Sequence, residues 1–206
     1  MHAETEGVIK FDLRYTPSSL GPECDISRLE AARNRLFAAR LIGRDSARYE
    51  GLGYGNISER WHDSDCFVIS GSQTGGFAHL TLDEYALVTA ADVEHNILVA
   101  EGCCKPSSES LTHALIYQLD PAVKGVVHVH CPELWQAAER LHLPCTPASV
   151  PYGSLAMVLA VRHLWDSGQL DDMRGFVMLG HQDGIVTFGD GLEQATNLLF
   201  EWLDRV

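Results

Sequence analysis

The sequence predicts a layered α/β domain in which helices cover a mixed sheet, and three observations carry that prediction. Short apolar runs of strand length fill the middle of the chain. Longer stretches with apolar residues at helical spacing lie before, between and after them. Gly, Pro and Asp punctuate the boundaries, as turns require. Strands and helices in this alternation bury their apolar sides against each other as stacked layers.

Residues 1–24 read as an N-terminal extension. Asp25 to Gly43 reads as an amphipathic helix: Ile26, Leu29, Leu36, Ala39 and Leu41 recur near helical spacing, Asp25 suits the N-cap and Gly43 the stop. A glycine-rich loop follows from Gly51 to Ser58. Cys66–Ser70, Tyr85–Ala90 and Asn96–Ala100 have strand character. Ser108 to Leu119 reads as a helix ended by Asp120 and Pro121, and Gly125–His130 as a buried strand. Glu133 to His142 and Ser154 to Ser167 read as helices. Gly175–His181 and Gly184–Phe188 make a hairpin around Gln182 and Asp183, and Leu192 to Arg205 closes the chain as a helix. No repeat or linker divides the chain, so residues 1–206 are expected to form a single domain.

With 46% apolar residues in 206, the chain can bury a sizeable core. A net charge of −13 argues against nucleic acid, because phosphates need a basic surface. No apolar run is long enough to span a bilayer, so no membrane partner is expected. Met1 to Lys10 is polar and carries no signal-peptide core, which makes the cytoplasm the expected location. The six cysteines form no CxxC pair, and most read as buried small hydrophobes.

Chemistry concentrates in Val126 to His130. Strand side chains alternate, so His128 and His130 point to one face while Val127 and Val129 point to the other. Two neighbouring imidazoles can hold one divalent metal. A third histidine, His181, follows the apolar run Phe176 to Leu179. Glu109 opens a helix directly after Ser107 and Ser108. That run has an ordinary use, a serine cap with an acid at the positive end of the helix dipole. It also has a chemical one: hydroxyls and free N–H groups that bind an anion, with a carboxylate within reach of the metal. The glycine-rich stretches 51–58 and 70–76 read either as bare turns or as cradles for an anionic group.

In their order along the chain, Gly55 to Ser58, Ile69 to Gly71, Pro106 to Glu109, His128 to His130, and Gly180 and His181 with Gly184 resemble the class II aldolase/adducin family. The resemblance spans residues 29–203. It implies a three-layer α/β/α fold with a mixed, largely antiparallel sheet, assembled as a homotetramer with active sites between subunits. His128, His130 and His181 would be metal ligands, with Glu109 as acid/base residue and further ligand. Asn56, Ser70, Gly71, Ser107 and Ser108 match positions that hold a substrate phosphate. Tyr152 lies in the region comparable to a tyrosine that a neighbouring subunit supplies. The expected cofactor is one divalent metal per subunit, Zn2+ first, with Mn2+, Co2+ or Ni2+ as alternatives. The expected activity is a lyase reaction, aldolase-type cleavage of a sugar-derived hydroxycarbonyl compound through a metal-stabilised enediolate. Epimerase, dehydratase or decarboxylase chemistry uses the same parts, and an adducin-like interaction module is the non-catalytic rival.

Overall fold

A computed structural model of the protein describes residues 7–62 and 64–206. Eleven strands stand among the described residues: β1 (Asp12–Pro17), β2 (Gly43–Arg44), β3 (Gly53–Tyr54), β4 (Asn56–Arg60), β5 (Phe67–Ser70), β6 (Tyr85–Asp92), β7 (Ile97–Gly102), β8 (Gly125–His130), β9 (Cys145–Thr146), β10 (Gly175–Met178) and β11 (Gly184–Gly189). β2 and β3 pair with each other, and the rest form a nine-stranded sheet in the order β1-β7-β6-β5-β4-β8-β11-β10-β9. The outermost pairings, β1 with β7 and β9 with β10, are parallel. All pairings between them are antiparallel, so the sheet is mixed and largely antiparallel, as expected.

Helices α1 (Ser27–Ala38), α3 (Pro132–Ala137) and α5 (Leu192–Leu203) cover one face. Leu29, Leu36, Leu134, Leu199 and Trp202 pack there against Ile57, Val127, Val129 and Ile185. Helices α2 (Ser110–Leu119) and α4 (Leu155–Asp166) cover the other face. On that side Leu111, Leu115, Met157 and Val161 meet Phe67, Val126, Phe176 and Phe188. The alternation of β8 therefore holds: Val127 and Val129 serve the first layer, and Val126 the second. His128 and His130 share the parity of Val126, at the α2 side.

Several elements differ from the expectation. α1 ends at Ala38, well before Gly43. Arg40 takes φ 59°, the Leu41 amide bonds the Leu36 carbonyl at 2.9 Å and the Arg40 amide bonds that of Phe37 at 3.0 Å. This closes the helix as a Schellman motif and turns Leu41 and Ile42 back into the core. Asp25 accepts the Ser27 amide at 2.9 Å but stands one residue outside the N-cap. The stretch read as an N-terminal extension supplies edge strand β1. The glycine loop ends sooner than expected, because Asn56 to Arg60 is a central strand. Glu133 to His142 shortens to α3 followed by turns, and the hairpin strand β10 stops at Met178, leaving His181 in the turn.

Candidate metal centre and substrate pocket

β8 and the β10–β11 turn bring three buried imidazoles together: one nitrogen from each of His128, His130 and His181 lies within 4.8 Å of the others. The His128 and His181 rings stack, with centroids 5.2 Å apart, while His130 stands edge-on to His181 at 4.6 Å. An Nδ1–H of His128 donates to the Ile185 carbonyl at 3.1 Å, which leaves Nε2 to face the cluster. Glu109 closes the group, its Oε2 2.8 Å from His128 Nε2 and its Oε1 3.3 Å from His181 Nδ1. Asn56, paired across the sheet with His128, donates from Nδ2 to the same Oε2 at 2.9 Å.

A bare imidazole nitrogen this close to a carboxylate oxygen needs a positive particle shared between them. The donor set suits a divalent metal. Two nitrogens bound at about 2.1 Å to a tetrahedral ion sit roughly 3.4 Å apart, so the imidazoles would draw in around an ion from a spacing of at most 4.8 Å. Burial opposes the charge on Glu109, yet the His128 and His181 imidazoles hold its carboxyl well below the usual carboxylate range. Burial, with His181 and His128 beside it, likewise pushes the His130 pKa down, favouring the neutral form that binds metals.

Glu109 occupies the N-cap position of α2 itself, and its side chain makes no capping bond. Ser107 takes the local role, accepting the Glu109 amide at 3.3 Å through Oγ. The ordinary capping explanation therefore covers the serine and leaves the acid for the cluster.

Asn56, Gly71, Ser107 and Ser108 line a small cavity together with Glu109. Ser70 does not line it: its hydroxyl accepts the Ile57 amide at 3.1 Å and ties β4 to β5. Gly71 contributes room rather than an amide, since its N–H goes to the Glu84 carbonyl at 2.8 Å. Gly53, Gln73 and Gly75 complete that wall, and Gly7 approaches it from the N-terminal segment. Tyr152 is buried within its own chain. Its ring stacks on His181 at 4.4 Å, and its hydroxyl accepts the Val8 amide at 3.3 Å.

Sequence reasoning missed the residues behind the histidines. The Tyr49 ring stands edge-on to His130 at 4.5 Å, and its hydroxyl donates to Asp183 at 2.6 Å in the turn that carries His181. Arg48 pairs with the same carboxylate at 3.3 Å and also donates to the Tyr49 hydroxyl. One turn beyond Glu109, His113 is wholly buried. Its Nδ1 lies 2.7 Å from Ser58 Oγ, which is 2.9 Å from the Tyr117 hydroxyl. Burial lowers the His113 pKa to about 3, so the ring is neutral. Only the spacing of Glu109, His113 and Tyr117 on one helix face could have signalled this group.

Comparison with known proteins gives a consistent result. The profile of the class II aldolase and adducin N-terminal domain matches residues 38–205. A probable L-ribulose-5-phosphate 4-epimerase of Mycoplasma pneumoniae is 30% identical over 132 residues, covering 62% of this chain and 52% of that protein. A methylthioribulose-1-phosphate dehydratase of Enterobacter sp. is 37% identical over 76 residues, 37% of this chain and 34% of its own length. The chain thus spans about half or less of these curated relatives. An L-fuculose 1-phosphate aldolase superimposes with TM-score 0.64 at 17% identity, over 91% of this chain and 84% of the other. The class II aldolase domain of a Thermoplasma acidophilum protein gives 0.60 at 16% identity, over 91% and 94%.

Proposed function

The chain belongs to the class II aldolase and adducin family, and from that premise we propose that it is a divalent-metal-dependent lyase acting on a sugar-derived hydroxycarbonyl phosphate. The observation that carries this reading is the convergence of three buried imidazoles with the Glu109 carboxylate beside a cavity lined by glycines and serines. His128, His130 and His181 would hold the metal, Zn2+ first among the candidates. When bound, it would act as a Lewis acid on a substrate carbonyl oxygen.

The remaining chemistry falls to the chain's own groups. In a retro-aldol cleavage a hydroxyl proton leaves as the carbon–carbon bond breaks, and the carbon that keeps the electron pair takes up a proton. Glu109, held ionised and aimed by the Asn56 amide, is placed to exchange that proton at Oε1 or Oε2. Ser107, Ser108 and Asn56 would bind the substrate phosphate at the N-terminal end of α2, where the helix dipole favours an anion. Tyr152, stacked on His181, would border the reacting carbons. The family resemblance adds a homotetramer to this reading.

The two sequence relatives favour a second version, epimerase or dehydratase chemistry on a related sugar phosphate with the same metal and acid/base group. Elemental analysis of the pure protein, followed by a screen of sugar phosphates and their acids, tests the proposal. About one divalent metal per chain is expected, and His128→Ala should strip it. Metal-free wild-type protein overturns the assignment and leaves an adducin-like interaction module, while full occupancy in the variant removes His128 from the ligand set.

A further inference from the structure

One fully buried charge has no part in that chemistry. Arg33 is 1% exposed, on the inner face of α1 beside Leu29 and Leu36, where an apolar residue is the ordinary occupant. Its Nη2 donates to the carbonyls of Thr74 at 3.1 Å, Gly75 at 3.3 Å and Phe77 at 2.6 Å, and its Nη1 to that of Ala78 at 3.3 Å. Three residues earlier on the same helix, Glu30 accepts the Leu80 amide at 3.0 Å. α1 therefore grips the 74–80 loop with a cation on its carbonyls and an anion on its far amide.

The grip fixes which way the peptides point. A trans peptide carries its C=O and N–H on opposite edges of one plane. With the Thr74 carbonyl turned to Arg33, the Gly75 N–H must point away from it. The Gly75 nitrogen lies against Gly53, where an added Cβ would stand 3.2 Å from it, and both glycines line the cavity. Gly75 has no space for a side chain, since a Cβ would come within 2.6 Å of the Tyr54 carbonyl oxygen. Carbonyls bound to a guanidinium also polarise their peptides and strengthen the opposite N–H as a donor.

We propose that Arg33 is a positioning residue of the substrate pocket: by collecting the carbonyls of the 74–78 loop it presents the Gly75 N–H to the anionic group of the substrate. This rests on the reading of the cavity as a phosphate site. A role confined to stability would hold the loop without affecting the affinity of a folded protein for an anion.

Inorganic phosphate is the probe, titrated into full-length wild-type protein and into Arg33→Lys and Arg33→Gln. Lys offers one point of charge and Gln two donors, and neither spans four carbonyls. The variants should keep the wild-type metal content and bind phosphate about tenfold more weakly, the worth of one good hydrogen bond. Folded variants with phosphate affinity within about twofold of wild type would overturn the proposal. Should both variants fail to fold, amide shifts in the wild-type protein serve instead. Phosphate must then shift the Gly75 amide, and a Gly75 signal unmoved at saturation overturns the proposal. Absence of phosphate binding to wild-type protein would remove the anion site and this inference together, while histidine-bound metal would still stand.

Discussion

Around His128, His130 and His181 the polar contacts that define the cluster come from side chains, whereas the small cavity that Glu109 and Asn56 also line is walled largely by glycines, at positions 53, 55, 71 and 75. Glu109 and Asn56 sit at the seam between the two. The first half needs particular functional groups at particular atoms. The second needs backbone in a particular orientation, supplied from outside by Ser107, by β4 and by a buried arginine one layer away. Removing one group from the side-chain half should be severe, because no neighbour can replace an imidazole or a carboxylate. Removing one donor from the backbone half should be mild, because several others remain.

Glu109→Gln is the sharpest way to break that contrast. The amide keeps the shape and the Asn56 contact but cannot carry a proton between substrate atoms. Turnover on an identified substrate should fall about a hundred- to ten-thousand-fold with metal content preserved. A variant as active as wild type would take the acid/base role away from Glu109.

The buried tie beneath the cluster gives the next largest effect. His113 titrates near pH 6.5 when unfolded but only near about 3 when folded. The unfolded chain therefore binds the extra proton across that window, and the stability present above about pH 6.5 is lost as pH falls, by up to about 1.4 kcal/mol per pH unit. Glu109, with its folded pKa also depressed, adds its own loss only as pH falls below the ordinary carboxylate range near 4.3. Urea denaturation between pH 7 and 5 reads His113 together with His130, whose pKa burial also pushes down. His113→Gln should make that limb shallower, and an unchanged slope would show that the His113 ring is charged or solvated in the folded protein.

On the backbone side, Ser108→Ala should weaken inorganic-phosphate binding by no more than about tenfold. Metal content should not change. If metal were lost as well, the two halves would be one coupled site and the contrast would dissolve.

The same contrast explains what the sequence revealed. The layered fold followed from apolar periodicity in β5, β6, β8, β10 and the helices, where burial alone selects the residues. His128 and His130 stood out because strand alternation sends both to one face, and Glu109 because it opens a helix, whereas His181, in a turn, stood out only through the order of the motifs. β4 was not. Its residues are polar because Asn56 bonds Glu109, Ser58 meets His113 and Tyr117, and Arg60 donates to the carbonyls of Val123, Tyr117 and Asp120. A central strand whose polar side chains are tied to distant segments carries no alternating pattern to read. Ser70 was assigned to the pocket on motif position, yet its hydroxyl bonds the Ile57 amide, a partner that exists only after β4 and β5 pair. Nothing in the sequence marks Arg33, because its acceptors are four carbonyls some forty residues away in sequence.

Tyr49 offers the finest test, because it supports the histidines without belonging to them. Its ring packs edge-on against His130, and its hydroxyl anchors Asp183 in the turn carrying His181. Tyr49 stands at φ 50° and Glu50 at φ 56°, a conformation disfavoured for residues with side chains, so the loop is held by these contacts rather than by local preference. Tyr49→Phe keeps both the ring and the backbone demand and removes the hydroxyl alone. It should cost about 1 kcal/mol of stability and weaken zinc binding a few-fold, read by denaturation and by chelator competition. Tyr49→Ala should cost distinctly more, since the ring against His130 goes too. If Phe and Ala weakened zinc equally, the Asp183 bond would account for the whole effect, and orientation of the turn rather than packing on His130 would be what Tyr49 supplies. If neither changed zinc affinity, the side-chain half of the site would end at its four named residues.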